Sequence, residues 1–262
     1  MEKYILLSDL HLTGRSVETY SCNSDINYRK AVSHIAEHHT DAQAIFCMGD
    51  ISNDGSEISY RYFSECNQEL TIPYHTLLGN HDSFLQASNH IELDTYQGRY
   101  VQFSKAYGNK IFIFLDTTVP GRSSGSLCSS RMNWLKRVLE QSSKDKRDVY
   151  LFMHHNPFQI NVKCYDDIGL ENSDKFYKLL SCFSDIVKHV FFGHCHQNIH
   201  GEYQGVPYTT IKGTNHQLYP DLSGDKRFKI CNFEPSYYVM LFGHGGLYFY
   251  NIEFNKTLSC VI

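Results

Sequence analysis

The 262-residue chain lacks several features by which whole classes of protein are recognised. No segment approaches the ~20 apolar residues of a membrane helix, and the apolar run at residues 5–7 is too short for a signal peptide. The net charge of −4 gives no sign of the basic surface that a long nucleic acid requires. We therefore expect a cytoplasmic protein with no membrane anchor and no long nucleic-acid partner.

Disulfide frameworks and thiolate metal sites are also not indicated. The nine cysteines are odd in number and contain no Cys-x-x-Cys pair. Without an export signal, we expect them to be reduced and mostly structural. The 15 histidines are the more unusual feature, because many of them fall at the ends of predicted strands.

Apolar runs alternate with helix-like segments, a pattern typical of an α/β fold with a sheet covered by helices. The predicted strands are residues 4–8, 44–48, 75–78, 111–115, 149–153 and 189–192. The predicted helices are residues 28–39, 57–70, 131–141 and 174–183, the last two capped by Ser129–Ser130 and Ser173.

The helical patterns stop at about residue 199. Residues 202–203 with 207–211, and residues 237–242 with 247–254, flank glycine-containing turns and predict two hairpins. We expect this β-rich C-terminal half to close the fold as a second sheet. No repeat, low-complexity tract or linker interrupts the chain, so we expect a single domain over residues 1–262.

Five of the six predicted strands end in aspartate, histidine or asparagine. The strand ends read Ser8-Asp9-Leu10-His11, Gly49-Asp50, Gly79-Asn80-His81-Asp82, His154-His155-Asn156-Pro157 and Gly193-His194-Cys195-His196. In open α/β sheets, ligands bind at the carboxyl ends of strands, so these side chains are expected to converge. Their oxygen and nitrogen donors suit manganese, iron, zinc or cobalt rather than a sulfur-rich structural zinc site.

The spacing of these residues supports one shared site. Residues two apart on an extended segment point to the same side, so Asp9 and His11 should face the site together, as should His194 and His196. A preceding glycine lets the backbone turn out of the strand in three of the five cases. Asp50 stands alone with two oxygens, which makes it the natural bridge between two cations ~3.5–4 Å apart.

Taken in order, the motifs resemble those of the calcineurin-like metallophosphoesterase superfamily, and the chain is most similar to the bacterial class III cyclic-nucleotide phosphodiesterases. The similarity also includes LDTTVPGRSSGSL (115–127), WLKRVL (134–139), HHNP (154–157), IGLENSDKF (168–176), GHCHQNIHGEYQGVPY (193–208) and PSYYVMLF (235–242). Asn156 stands where those proteins usually have proline, and Cys195 occupies a variable position. Neither difference affects an expected ligand.

The resemblance implies a four-layered α/β/β/α sandwich with two metal ions, manganese or an iron–manganese pair being favoured. One ion would be held by Asp9, His11, Asp50 and His196, and the other by Asp50, Asn80, His154 and His194. A hydroxide bridging the ions would attack the phosphorus of a small phosphodiester, foremost 3′,5′-cyclic AMP. Relatives in this family commonly self-associate, so a homodimer is also possible.

Three residues are the expected catalytic groups. Asp50 would bridge the ions, and the Asn80 amide would stabilise charge on the phosphoryl oxygens. His81 would lie outside the coordination shell and protonate the leaving alkoxide. His155 should face away from the site and support it or pack in the core. Asp82 would orient His81 or another group that supports the ligands, or it caps a turn.

Substrate contacts are harder to assign from the sequence. Thr214 and Gln217 in KGTNHQL align with a loop that closes the pocket in the family, although a surface turn explains them nearly as well. Tyr219 or Phe158 could stack on a base.

Other functions stay open at this point. Glycerophosphodiesters and other small diesters would use the same metal motifs. A lipid-A-pathway pyrophosphatase shares the Asp-Leu-His-Leu opening but has arginine where His81 stands here. A scaffold that kept the fold without catalysis is the alternative of another class, although such relatives usually have broken ligand sets and this chain retains every position.

Overall fold

Strands and helices alternate over residues 1–256, the part of the chain that this computed structural model describes. The strands are Glu2–Leu7 (β1), Glu18–Thr19 (β2), Cys22–Asn23 (β3), Ala44–Met48 (β4), Tyr74–Leu77 (β5), Phe103–Tyr107 (β6), Lys110–Leu115 (β7), Asp148–Met153 (β8), Val187–Phe192 (β9), His200–Tyr203 (β10), Val206–Thr210 (β11), Gln217–Leu218 (β12), Ile230–Cys231 (β13), Tyr237–Gly243 (β14) and Gly246–Ile252 (β15). The helices are Ser24–His38 (α1), Glu57–Asn67 (α2), Phe84–Ala87 (α3), Ser129–Lys144 (α4), Lys163–Asp166 (α5) and Ser173–Ser181 (α6).

Two mixed sheets form the centre of the molecule. The first has the strand order β15-β14-β1-β4-β5, and the second has the order β10-β11-β9-β8-β7-β6. In the first sheet β1, β4 and β5 are parallel, and in the second β7, β8, β9 and β11 are parallel. The carboxyl ends of these parallel strands supply the loops of the site described below.

Successive apolar side chains of a strand point to opposite faces of its sheet. In β7, Phe112 and Phe114 join the core between the sheets, whereas Ile113 and Leu115 pack in a second core on the outer face. Phe46 of β4 contacts Phe114 across the sheets, with ring centroids 5.0 Å apart. Because side chains alternate with a period of two, one strand fills both layers.

Helices cover the outer faces. In α1, the buried residues Tyr28, Ala31, Val32 and Ile35 recur every three or four positions and pack in the core of the first sheet. Leu135 of α4 belongs to the core of the second sheet, as do Phe176 and Leu180 of α6. The predicted four-layered α/β/β/α sandwich is confirmed.

Two sequence-based expectations about this fold were wrong. Both C-terminal hairpins form, but they do not make a sheet of their own. β14 pairs with β1 in the first sheet, and β11 pairs with β9 in the second. The helix caps also differ: α4 begins at Ser129 after Cys128, and α6 begins at Ser173 after Asn172. The predicted cap residues are therefore the first residues inside the helices.

None of the helices within residues 1–256 has the length and apolar character to cross a membrane. The eight cysteines in the same range are free thiols. After β9 the described chain contains strands and no helix.

Candidate metal centre

The seven side chains predicted as ligands gather where the two sheets meet. Loops after β1, β4 and β5 bring four of them from the first sheet, and loops after β8 and β9 bring three from the second. They are Asp9, His11, Asp50, Asn80, His154, His194 and His196, all buried except the partly exposed Asn80. The predicted convergence of five strand ends is thus present.

Asp50 lies at the middle of this group. Its Oδ2 lies 3.4 Å from His154 Nε2 and 3.7 Å from His11 Nε2. Its other oxygen, Oδ1, accepts a hydrogen bond from the backbone N–H of His81 at 2.9 Å. One carboxylate oxygen therefore faces imidazoles on both sides, whereas the second is already used within the protein.

The remaining donors are arranged on either side of Asp50. On one side, His11 Nε2 and His196 Nε2 are 3.1 Å apart, and His196 Nε2 is 3.5 Å from Asp9 Oδ1. On the other side, His154 Nε2 is 3.2 Å from Asn80 Oδ1. Two nitrogens that each lie 2.0–2.1 Å from one tetrahedral ion would be about 3.3 Å apart, so these separations suit metal binding.

The protonation of the imidazoles also fits a metal. His154 Nδ1 donates to the carbonyl of Met48 at 2.9 Å, and His196 Nδ1 donates to the carbonyl of His216 at 2.8 Å. A histidine that donates one ring N–H to a carbonyl presents the lone pair of its other nitrogen to a metal. His194 Nε2 is buried without a hydrogen-bond partner within residues 1–256. An ion would satisfy each of these nitrogens.

Burial and neighbouring charges set the protonation of the centre. Burial opposes ionisation of Asp50, but the imidazoles of His154 and His11 outweigh it and hold the pKa of Asp50 well below its usual range. Burial likewise disfavours charge on His154, yet Asp50 raises the pKa of His154 to about 9. Metal binding at this imidazole must therefore displace a proton.

The backbone at the ligands is left-handed. Asp9, His11, Asp50, His194 and His196 all have positive φ, between 46° and 65°. The expectation that the Asp-x-His and His-x-His pairs share a side because they are extended was therefore wrong. The side chains meet because alternate residues turn into the left-handed region, which aspartate and histidine enter more readily than β-branched residues do.

The glycines before the ligands serve close packing as well as turning. Gly49 has a φ of +101°, as a turn requires. At Gly79 a Cβ would lie 2.6 Å from the Asp50 backbone nitrogen and 2.7 Å from His154 Cε1. At Gly193 a Cβ would overlap the Ser8 hydroxyl. Both of the latter have negative φ, so the absence of a side chain is what matters there.

His81 and Asp82 support the centre in different ways. His81 Nδ1 donates to the carbonyl of Asn53 at 2.8 Å, and its ring lies 4.8 Å from that of His11. The Asp82 carboxylate accepts from the backbone N–H groups of Ile51, Ser52 and Gly79 and from the Tyr60 hydroxyl. Burial, with the charge of Asp50, raises the pKa of Asp82 to about 6. Asp82 ties together the loops that carry Asp50 and Asn80, rather than orienting His81.

His155 is a supporting residue, as expected. Its Nε2 donates to the Ser123 carbonyl at 3.2 Å, and its Nδ1 accepts from the Thr117 hydroxyl at 2.7 Å. Both ring nitrogens are therefore used within the protein. Burial lowers the pKa of His155 to about 3, so the ring is neutral beside His154.

Comparison with known proteins decides the family. A model of the family described as "Calcineurin-like phosphoesterase" matches residues 3–198, three quarters of the chain and all five strand-end motifs. The chain belongs to the calcineurin-like phosphoesterase family. Enzymes of this family use a dinuclear metal site, and this phosphoesterase has clusters of histidine and aspartate able to bind metal ions. The prediction of a metal-dependent phosphoester hydrolase is confirmed at that level.

Curated relatives carry several names. A Coxiella burnetii protein named "Probable cyclic nucleotide phosphodiesterase" is 32% identical over 220 residues, covering 82% of this chain and 84% of its own. The "3′,5′-cyclic adenosine monophosphate phosphodiesterase CpdA" of Pseudomonas aeruginosa is 27% identical, covering 74% and 69%. The "Probable glycerophosphodiester phosphodiesterase GpdQ" of Arcobacter nitrofigilis is 24% identical, covering 88% and 85%.

A solved structure supports the fold. The crystal structure of a dimetal phosphatase from Danio rerio superposes with a TM-score of 0.69 and covers 95% of each chain. Its sequence is 17% identical to this phosphoesterase, so the likeness concerns the fold alone.

The metal centre of this phosphoesterase forms one wall of a cavity of about 370 Å³. The polar wall contains His11, Asp50, Asn80, His81, His194 and His196. The rest of the lining is a largely apolar wall that contains Tyr20, Tyr165, Ile168, Leu218, Phe228 and Ile230. His216 joins the two walls, with its ring centroid 4.2 Å from that of His196 and 4.4 Å from that of Tyr20.

The sequence did not identify the residues of the apolar wall. Thr214 and Gln217 are buried and do not line this cavity; their neighbours His216 and Leu218 do. Of the two aromatic candidates, Tyr219 does not line it either, and Phe158 packs in the core of the second sheet. The KGTNHQL segment therefore lines the cavity through His216 and Leu218 and not through the two residues that were predicted.

Proposed function

We propose that this phosphoesterase hydrolyses small phosphodiesters, foremost 3′,5′-cyclic nucleotides such as cyclic AMP, at a dinuclear metal centre. The observation that carries the proposal is the position of Asp50 Oδ2, which faces an imidazole from each group of donors at the wall of the cavity. One carboxylate oxygen between two sets of donors suits a pair of cations that clamp a phosphate.

The family resemblance implies the two ligand sets, and the distances on the two sides of Asp50 are compatible with them. One ion would be held by Asp9, His11, Asp50 and His196. The other would be held by Asp50, Asn80, His154 and His194. Manganese or an iron–manganese pair is favoured, and zinc or cobalt would suit the same donors. When bound, the ions would supply Lewis-acid stabilisation of a phosphoryl oxygen and acidify a water molecule.

The chain's own groups would position the phosphate and move a proton. Asn80 turns its Oδ1 toward His154, which leaves its amide N–H groups available to donate to a phosphoryl oxygen. His81 is held through Nδ1 by the Asn53 carbonyl, so Nε2 is the nitrogen that can pass a proton to the leaving alkoxide. The backbone N–H of His81 also fixes Asp50 Oδ1.

The apolar wall favours a substrate with a planar group. Tyr20 and Phe228 line the same cavity as the metal centre. Stacking of a base on an aromatic side chain contributes about 1–3 kcal/mol. A cyclic nucleotide joins a phosphodiester to such a base, and relatives from Coxiella burnetii and Pseudomonas aeruginosa are named for cyclic-nucleotide hydrolysis.

Glycerophosphodiester hydrolysis is the second candidate. The Arcobacter nitrofigilis relative is named for that activity, and its similarity covers 88% of this chain. The metal chemistry would be the same, so the two candidates differ only in what the apolar wall contacts. Glycerol has no planar face to stack on Tyr20 or Phe228.

A substrate panel with added manganese separates the candidates. It contains cyclic AMP, cyclic GMP, 2′,3′-cyclic AMP, glycerophosphocholine, an aryl phosphodiester and an aryl monophosphate. We expect the highest kcat/KM for a 3′,5′-cyclic nucleotide. Preference for glycerophosphocholine would favour the second candidate, and equal turnover of the aryl monophosphate would overturn the diesterase proposal. Bound metal without any turnover would favour the non-catalytic scaffold.

Two variants test the proposed roles. His81→Ala should lower kcat by about 100-fold or more while two metal ions per chain remain bound, because a general acid contributes 10²–10⁴-fold. Asp50→Ala should lose both metal binding and activity. His38→Ala, at an exposed position on α1, is the matched control. Loss of metal in His81→Ala would place this histidine among the ligands instead. The homodimer, the single domain and the cytoplasmic location stay predictions.

A further inference from the structure

A second cavity of about 360 Å³ lies on the other side of residues 213–218 from the catalytic pocket. His216 lines the catalytic pocket, whereas Gln217 lines the second cavity, so this segment separates the two. His196 and Leu218 contribute to both. The metal-centre chemistry described above makes no use of the second cavity.

The second cavity contains polar atoms that the protein leaves unpaired. Gln197 is only 4% exposed, yet neither its Nε2 nor its Oε1 has a hydrogen-bond partner among residues 1–256. Gln217 donates through Nε2 to the carbonyls of Gly213 and Asn215, but its Oε1 has no partner in the same range. Buried amide groups are normally satisfied, so two acceptors and one donor at one cavity indicate a missing partner.

A lysine also lines the cavity. Lys212 is 7% exposed and makes no ion pair with any residue of the described chain. Burial lowers the pKa of Lys212, against the opposing effect of Glu253 and Glu234. A bound anion would supply the negatively charged partner that Lys212 lacks among the described residues, and it would oppose the effect of burial on the lysine pKa.

The rest of the lining limits the size and charge of a ligand. Ile199 and Phe233 supply apolar surface, so an organic ligand fits better than a bare ion. Glu253 lines the same cavity, so one negative charge fits better than several. Gln217 Oε1 can only accept, so a hydroxyl or N–H on the ligand would pair with it.

We propose that this second cavity binds a small organic anion with one carboxylate and one hydrogen-bond donor, held by Lys212, Gln197 and Gln217. None of these three residues is an expected metal ligand, although His196 lines both cavities, and the proposal stands whichever phosphodiester the enzyme hydrolyses. A hydroxylated aromatic carboxylate is the simplest compound with these groups.

Calorimetric titration of the manganese-loaded protein tests the proposal with 4-hydroxybenzoate, benzoate and phenyl phosphate as probes. We expect 4-hydroxybenzoate to bind one site per chain more tightly than the other two. Lys212→Met should weaken this binding by about 10- to 100-fold, as loss of a charge-assisted hydrogen bond does. Hydrolysis of an aryl phosphodiester should stay within about twofold of wild type, which shows that the variant is folded. Gln197→Met is a second variant with the same expectation.

Three results would overturn the proposal. The first is the absence of binding by every probe. The second is binding that saturating inorganic phosphate abolishes and Lys212→Met leaves unchanged, because the probe would then occupy the metal centre. The third concerns residues 257–262, which follow Glu253 closely in the sequence. A variant ending at residue 256 should bind 4-hydroxybenzoate with the same affinity as wild type. A tenfold gain in affinity would mean that residues 257–262 compete for the cavity, and the proposal would fail.

Discussion

The contact between Gly193 and Ser8 makes a quantitative prediction about how the two sheets meet. Ser8 follows β1, Gly193 follows β9, and the Ser8 hydroxyl donates to Asp9 Oδ2 at 2.6 Å. A Cβ at position 193 would overlap this hydroxyl, while lying 3.3 Å from Ser8 Cβ and 3.0 Å from Asp9 Oδ2. Gly193→Ala should therefore force the hydroxyl away from the Asp9 carboxylate.

The cost can be worked out from the bond that is lost. A buried hydrogen bond to a charged group contributes about 1.5–3 kcal/mol to the free energy of unfolding. Gly193→Ala should lose about that much, with a smaller cost from the remaining 3.0 Å contact. Ser8→Ala should lose the same bond by deleting the hydroxyl. The double variant loses the bond only once, so its cost should be close to that of Gly193→Ala alone.

Urea unfolding of the four proteins in EDTA at pH 8, followed by circular dichroism, measures these free energies. The expected coupling between the two substitutions is about 1.5–3 kcal/mol. If the costs of the single variants add to within about 0.5 kcal/mol in the double variant, the hydroxyl does not occupy the space beside Gly193 and the reasoning fails. Repeating the series with manganese shows whether the same contact stabilises the loaded centre.

Three further predictions concern charge and metal. Burial, with a smaller effect of His200, lowers the pKa of His189 to about 3. The His189 imidazole therefore binds a proton near pH 6.5 in the unfolded chain but stays neutral at that pH in the folded chain. The free energy of unfolding should therefore fall as the pH drops from 6.5 toward 3, by about 2 kcal/mol at pH 5. Urea unfolding at pH 7 and pH 5 should show that this pH dependence is about 2 kcal/mol smaller in His189→Phe. Arg131→Met should lower the free energy of unfolding by about 3–5 kcal/mol, because Arg131 donates to the carbonyls of Asp116 and Thr118 and lies 3.5 Å from the buried Asp116 carboxylate. Adding Asp116→Asn should recover part of the loss in the same assay; no recovery would mean that the charge is not the cause. Finally, manganese at 100 times its Kd should stabilise the EDTA-treated protein by about 2.7 kcal/mol for each ion bound, which is about 5.4 kcal/mol for two ions. The resulting rise in Tm should be absent in Asp50→Ala and kept in His38→Ala.

The central strands, and the side chains that gather at their ends, were predictable because each depends on a local pattern. The strand Ala44–Met48 is buried on both faces, so its apolar run marks both of its ends, and the prediction matched it residue for residue. The convergence of the expected ligands was predictable because polar side chains follow such runs directly. Asp50 directly follows Gly49, the first residue after the strand Ala44–Met48. A carboxylate at this point is not explained by packing in the core.

The features that were missed depend on partners far away in the sequence. Nothing within the segment 237–243 specifies that it pairs with β1, since its apolar pattern would fit the edge of either sheet. The left-handed φ of Asp9 and His11 is stabilised by backbone hydrogen bonds to the loop after β4. The Asp9 N–H donates to the Gly49 carbonyl, and the His11 N–H donates to the Asp50 carbonyl. Tyr20 and Phe228 come from irregular segments without periodicity, so only the folded chain brings them to the cavity.

During synthesis on the ribosome, β1 emerges before the other strands described here but gains its second neighbour almost last. β4 can pair with one side of β1 early. β14 becomes available only after all six strands of the second sheet have been made. Until then the free backbone edge of β1 can pair with other nascent chains, and this edge leads straight into Asp9 and His11. A translation product that stops before β14 would therefore leave one edge of β1 unpaired beside an incomplete metal centre, and such an edge favours aggregation.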